Sequence, residues 1–217
     1  MNCKKPICID LFCGLGGWTE GFLAEGYQVF GFDNERHVYG EHRYPGELVL
    51  QDVLTLDGRQ FRHAAVIVAS PPCQAYSYMA MPWRRAKTEA AWQRWFRDSG
   101  SPFADPFTLN ELFDACFRIA EEAGVPIVVE NVKGAQPWVG RAKWHYGSFY
   151  LWGDVPALMP LGHSCKAQGL WFGPYADRAR NSVSRTGSKS KERAKFSALS
   201  AKIPFELSSY IARVFKP

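Results

Sequence analysis

Five short apolar runs, each ending in residues that do not belong in a core, constrain this chain more than any other feature. Pro6 to Phe12 is rich in β-branched residues and runs into Cys13-Gly14-Leu15-Gly16-Gly17. Tyr27 to Phe32 alternates and ends in Asp33-Asn34-Glu35. Leu48 to Leu50 ends at Gln51-Asp52. Ala64 to Ala69 is fully apolar and ends at Ser70-Pro71-Pro72-Cys73. Val125 to Val129 ends at Glu130-Asn131. Between them, Trp18 to Glu25 has helical spacing and closes at Gly26. Arg36 to Tyr44 suits a short helix. Leu109 to Ala123 is amphipathic and closes at Gly124. Apolar strands separated by helical patterns predict an α/β fold: a mostly parallel, Rossmann-like sheet with helices on both faces.

The pattern then degrades. Gly134 to Gly153 is aromatic and irregular, with one strand expected at Ser148 to Trp152. Gly162 to Ser190 shows no periodicity and reads as loop. Ile203 to Phe215 reads as a final helix with Pro204 near its first turn. At roughly 150 residues per domain, 217 residues make one domain with room for a small appendage. Hydrophobic residues at 47% and charged residues at 22% exclude a disordered or fibrous chain.

Six cysteines stand at 3, 8, 13, 73, 116 and 165, without a C-x-x-C pair, which is no disulfide framework. No signal peptide is visible, and the apolar stretches are too short to span a bilayer. A reduced, cytoplasmic setting is expected, with no membrane partner. Cys3, Cys8, His163 and Cys165 match no common zinc spacing, so no metal is expected.

The net charge of +5 permits an anionic partner without demanding one. Its distribution is more telling. Arg178, Arg180, Arg185, Lys189, Lys191, Arg193 and Lys195 face one acid, Glu192. A second cluster, Arg84, Arg85, Lys87, Arg94 and Arg97, is interleaved with Trp83, Trp92, Trp95 and Phe96. Basic plus aromatic is what a phosphate-tracking, base-stacking surface needs; a solvated helix face with a few core aromatics is the plainer reading.

In open α/β sheets, ligands bind beyond the carboxyl ends of the strands. There a glycine turn lets backbone approach a ligand, an acid after the second strand can accept ribose hydroxyls, and Asp52 is placed to take an exocyclic amine. Together these describe a nucleoside-cofactor cleft with a thiol and a carboxyl beside it. Cys73 is either a small buried hydrophobe or an exposed, preorganised thiolate that needs a positive neighbour or helix terminus to activate it. Glu130 is either a turn-capping acid or a general acid whose carboxyl is kept protonated by a water-poor site.

Asp10-Leu-Phe-Cys-Gly-Leu-Gly-Gly17, Ser70-Pro-Pro-Cys-Gln-Ala-Tyr-Ser77 and Val129-Glu-Asn-Val132 resemble, in order, the signature motifs of the cytosine carbon-5 DNA methyltransferases. The resemblance covers about residues 6 to 153, and the last helix looks like the family's closing motif. It implies an S-adenosylmethionine-dependent methyltransferase core over 1–153, a reduced target-recognition and basic loop region over 154–200, and a closing helix over 201–217. By resemblance, the Cys73 thiolate adds to carbon 6 of a flipped cytosine while Glu130 protonates the ring, and carbon 5 takes the methyl group. Asp10, Phe12, Gly14, Leu15, Gly16, Gly17, Glu35, Arg36, Asp52, Val53 and Pro72 match cofactor-binding positions, with S-adenosylhomocysteine the product. Arg36 stands where the family often has an apolar or aromatic residue.

Gln74, Ser77, Arg84, Arg85, Lys87, Arg178, Arg180, Arg185 and Lys189 are the expected nucleic-acid contacts, with double-stranded DNA the expected partner. A protein partner or a homodimer is not indicated. Three departures stand out. The family's R-x-R pair is Arg141-Ala142-Lys143 here, and Lys keeps the charge but loses the bidentate fork. The closing G-N-S-V-P motif is replaced by Ala201-Lys-Ile-Pro204. The target-recognition region is short, as in a phage-type or minimal restriction-modification enzyme. Methylation of RNA or a free nucleotide, and a non-catalytic DNA- or cofactor-binding relative, are the alternatives.

Overall fold

The computed structural model describes residues 4–74, 76, 84, 87, 88, 91, 92, 95, 99, 110–157 and 191–217. Strands β1 (Ile7–Leu11), β2 (Gln28–Asp33), β5 (Glu47–Leu50), β6 (Val66–Ala69) and β7 (Ile127–Asn131) run parallel. Strand β9 (Phe149–Gly153) pairs antiparallel with β7, and β8 (Trp144–Tyr146) antiparallel with β9. The order β5-β2-β1-β6-β7-β9-β8 means that the chain builds outward from β1, then crosses back to start again at β6. The crevice at this switch lies between β1 and β6, where such sheets bind ligands.

Period-two alternation divides the core into two layers. Ile9, Leu11, Ile67, Ala69, Ile127 and Val129 face Phe113, Cys116, Ile119 and Ala120 of α2 (Glu111–Ala123), with Val53, Leu56 and Phe61 from two short 3-10 turns. Cys8, Val66, Val68, Val128 and Leu151 share the other cluster with Trp18 and Phe22 of α1 (Gly17–Ala24) and with Leu207 and Ile211 of α5 (Phe205–Val214). Both faces of the sheet are therefore covered, as expected of parallel strands with near-continuous apolar character.

Helix α5 is held chiefly by burial. Leu207 and Ile211 are fully buried, each worth about 2–3 kcal/mol. The Arg213–Glu25 pair at its far end, with Arg213 exposed and Glu25 half-buried, adds under about 1 kcal/mol. The hydroxyl of Ser208 donates to the carbonyl of Trp18, and that of Tyr27 to the carbonyl of Ala212 at 2.9 Å.

Three expectations are corrected. Arg36 to Tyr44 is not a helix but a small hairpin, β3 (Val38–Tyr39) with β4 (His42–Arg43). Its two-residue connection starts with Gly40 at φ 65°, which the tight turn demands. Residues 191–200 are not loop: they belong to helix α4 (Lys191–Ala201), whose apolar residues do not gather on one side. An extra edge strand, β8, precedes the expected one. A short helix, α3 (Gln136–Val139), follows β7. Among the described residues no helix is long and apolar enough to cross a membrane.

Candidate active site

The glycine-rich turn leaves β1 and is tied down at once. The Gly14 backbone N–H donates to Asp33 Oδ2 at 3.0 Å. Gly14 itself has φ 49°, and nothing lies within 4 Å of where a Cβ would stand. The backbone is thus open to a ligand at this point. Asp33 is buried and also accepts from the Glu35 N–H at 3.3 Å, so its carboxylate is spent on holding the turn. Glu35, two residues on, is exposed at 71% of its side chain and remains available. Of the two acids after the second strand, the one matching the family's ribose acid is therefore the one left accessible. His37, which sequence reasoning missed, stands between them, Nε2 3.5 Å from Asp33 and Nδ1 3.7 Å from Glu35.

At the end of β5, Asp52 is exposed and accepts from the Leu54 N–H at 3.0 Å, while Val53 beside it is buried. Arg36 is exposed; Leu15, Gly16 and Gly17 are buried, and Phe12 is half-buried with φ 56°, a left-handed conformation rare outside glycine. The strain falls where β1 turns toward the cleft.

Beneath the turn lies a chain that the motifs did not reveal. Thr19 Oγ1 lies 2.7 Å from the Tyr44 hydroxyl and donates to Asp10 Oδ2 at 2.6 Å. Asp10 is 1% exposed and its Oδ1 has no partner. Burial raises its pKa to about 8, so it is held as a neutral acid at pH 7.

The proposed reacting groups end β6 and β7. Register pairs Ala69 with Val129, which sets Ser70 beside Glu130 at the rim. Pro71 is buried, Pro72 and Gln74 are exposed, and Cys73 is half-buried in a turn closed by the Tyr76 N–H on the Cys73 carbonyl at 3.0 Å. Asn131, 1% exposed, donates to the Pro71 carbonyl at 3.0 Å. Glu130 is 8% exposed, and burial raises its pKa to about 8 against the opposing hydrogen bond from Ser70. At pH 7 this carboxyl is held mainly in its neutral form.

Cys73 is half-buried, between the two readings of it as a buried hydrophobe and as an exposed thiolate. Its thiol is pushed up, first by burial and then by the Glu130 charge. Glu130 and Cys73 titrate as neighbours: when Glu130 holds a proton, the charge opposing the thiolate is gone.

Arg141 and Lys143 are both exposed on the segment entering β8. The Lys143 N–H bonds the Leu151 carbonyl at 2.9 Å, and Leu151 pairs with Glu130, so β9 separates this segment from the acid. Arg84 and Lys87 are exposed and helical, as are Trp92 and Trp95, whose rings meet edge to face at 5.9 Å. Ser77, Arg85, Arg178, Arg180, Arg185 and Lys189 lie outside the described residues. Among the described residues no group of three His, Cys, Asp or Glu side chains is arranged to hold a metal.

The strand order, the switch point and the acid-rimmed glycine turn define a Rossmann-like fold. Residues 7–136, more than half of the chain, match the family model described as C-5 cytosine-specific DNA methylase, and the chain belongs to that family. It is 30% identical over 95 residues to the Type II methylase M.HgiDII of Herpetosiphon aurantiacus, covering 39% of this chain and 26% of that protein. It is 35% identical over 85 residues to the Type II methyltransferase M1.HphI of Haemophilus parahaemolyticus, covering 35% and 23%. The chain thus spans about a quarter of the length of these curated relatives. A DNA modification methyltransferase encoded within an E. coli prophage aligns over 60% of this chain and 33% of its own, at 21% identity and a TM-score of 0.39.

Proposed function

We propose that this chain transfers a methyl group to carbon 5 of cytosine in DNA, with Cys73 as nucleophile and Glu130 as the acid that protonates the ring. One observation carries the reading: a half-buried thiol and a protonated, buried carboxyl are electrostatically coupled at the ends of adjacent parallel strands, beside a tethered glycine turn. A purely structural cysteine has no need of that neighbour.

The residues present fit S-adenosylmethionine. Gly14 offers open backbone, Glu35 an exposed carboxylate for ribose hydroxyls, and Asp52 an exposed carboxylate for the adenine amine, beside the buried Val53. When bound, this cofactor supplies the methyl group as a reactive sulfonium. The chain's own residues do the rest. Glu130 meets ring nitrogen 3 and hands over its proton as the Cys73 thiolate forms its bond to carbon 6. The ring electrons shift toward carbon 5, which becomes the nucleophile. Pro71, Pro72 and the Asn131 bond hold the thiol in position against them. The base must leave the duplex for this geometry. Double-stranded DNA is the proposed partner, with Arg84, Lys87, Trp92 and Trp95 supplying phosphate and stacking contacts.

The test is incubation with labelled S-adenosylmethionine and, in parallel, duplex DNA, single-stranded DNA, tRNA and dCTP. The reading expects label in 5-methylcytosine of the duplex. Label confined to tRNA or dCTP would move the substrate, and label in none of them would remove the activity.

A further inference from the structure

A hydrogen-bonded path enters the site from α1, which begins where the glycine turn ends. The Trp18 indole N–H donates to Ser70 Oγ at 3.1 Å. Ser70 stands beside Glu130 by the β6–β7 register, where its hydroxyl lowers the pKa of the Glu130 carboxyl. Strand alternation puts all three on one face of the sheet: Ser70 follows Val68 and Glu130 follows Val128, and both valines pack in the cluster that holds Trp18. Trp18 is 2% exposed and is itself anchored through its carbonyl by Ser208 of α5. None of the three motifs that mark the family requires a tryptophan here.

The path has a direction. An indole N–H can only donate. Ser70 therefore receives the Trp18 hydrogen in one oxygen lone pair, which leaves its single hydroxyl proton available to Glu130. A Ser70 hydroxyl without that donor could rotate away, or accept from the carboxyl instead. Donation from Ser70 occupies one carboxyl oxygen as an acceptor, which leaves the carboxyl proton on the other oxygen.

We propose that Trp18 and Ser70 are positioning residues for Glu130, fixing by this relay which carboxyl oxygen carries the proton. The assignment rests on the catalytic reading above for what that proton does. As the sulfur–carbon 6 bond forms, the carbon 5–carbon 6 pair shifts to carbon 4–carbon 5. The nitrogen 3–carbon 4 pair collects on nitrogen 3 and takes the Glu130 proton. Glu130 is left as a carboxylate that still receives the Ser70 hydrogen bond. The same proton returns when the thiolate leaves.

Among the described residues, the groups around Glu130 are few. On the β6 side stand Ser70 and the Cys73 thiol, which is coupled to it. Strand β9 opposes it with Leu151, and α1 contributes Trp18 through Ser70. A change at Trp18 therefore reaches Glu130 through one hydroxyl.

The experiment is a carboxyl-carbon NMR titration of protein labelled at glutamate, with the Glu130 resonance identified by its loss in Glu130→Gln. It reads protonation whether or not the protein is active. In Ser70→Ala the midpoint rises by about one pH unit, the scale of one hydrogen bond to a charged group. In Trp18→Phe, which keeps an aromatic ring but loses the indole N–H, it rises by less. The double variant matches Ser70→Ala, because Trp18 acts only through Ser70. Ser70→Thr, which keeps the hydroxyl, returns toward the parent. A midpoint unmoved in Trp18→Phe, or a double variant shifted by the sum of the singles, overturns the relay. If the titrations follow the expected pattern while the parent protein methylates no nucleic acid, the relay stands and the proposed activity falls.

Discussion

Asn131 donates its side-chain amide to the carbonyl of Pro71 across 3.0 Å, and its Oδ1 accepts the Val132 N–H at 2.8 Å. The end of β7 is thereby tied to the turn that carries Cys73, independently of the strand ladder. Asn131→Ala leaves a Pro71 carbonyl without its donor in a site that is 1% exposed at Asn131. The expected cost is about 1–3 kcal/mol in denaturant unfolding. Asn131→Asp should cost more, since it sets a carboxylate oxygen against a carbonyl. Equal stability of all three proteins would show that the tie is idle.

Asp10 and Glu130 both have pKa values of about 8 in the folded chain, against about 4 in unfolded peptides. Between those values the folded state holds protons that the unfolded state has released. The stability these two groups contribute is therefore complete below about pH 4 and is lost as pH rises through 8, by about 1.4 kcal/mol per pH unit for each group. Glu130→Gln and Asp10→Asn should each remove one group's share of the slope. A Glu130→Gln profile parallel to the parent's would contradict a buried, protonated Glu130.

Gly21 lets α5 lie against α1. A Cβ there would stand 2.6 Å from the Ser208 carbonyl carbon and closer still to the Ser209 nitrogen, and backbone cannot step aside. Gly21→Ala should destabilise the chain by about 1–3 kcal/mol, the usual cost of overpacking. Thermal unfolding checks it. No loss of stability would show that α5 docks more loosely against α1.

Much of this architecture was legible because it rests on period-two and helical patterns with clear stops. Val66 to Ala69 could only be a buried strand, and Gly124 ends α2 in a left-handed conformation, φ 66°. The acids at the strand ends were visible for the same reason: a charge after an apolar run must face a rim. What failed was short or non-local. Gly40 inside Arg36 to Tyr44 breaks a helical pattern only weakly, yet it makes the hairpin turn. Helix α4 has no apolar side to reveal it. The Trp18–Ser70 bond joins residues 52 apart in sequence, and a tryptophan in an apolar helix face reads as packing alone. Likewise, that Asp33 serves the glycine turn while Glu35 stays open depends on where two carboxylates point.

Arg84 and Lys87 are exposed on helical backbone, in the segment that also presents Trp92 and Trp95 at 56% and 57% exposure. If this surface tracks phosphates, Arg84→Glu with Arg85→Glu and Lys87→Glu should weaken DNA binding. The slope of log affinity against log salt should also become shallower, by roughly one for each phosphate no longer neutralised. Fluorescence anisotropy over a salt series measures both. Unchanged affinity and slope would place the DNA surface elsewhere.

If Cys73 is the nucleophile, it forms a covalent bond to carbon 6 of the target base. Fluorine at carbon 5 blocks the final proton loss and so arrests the reaction at that bond. With S-adenosylmethionine and a duplex carrying 5-fluorocytosine, the parent protein should yield a denaturation-resistant DNA adduct whose mass maps to the peptide containing Cys73. Cys73→Ser should form none and transfer no methyl group. Full methyl transfer by Cys73→Ser, or an adduct mapped to another residue, would contradict that role.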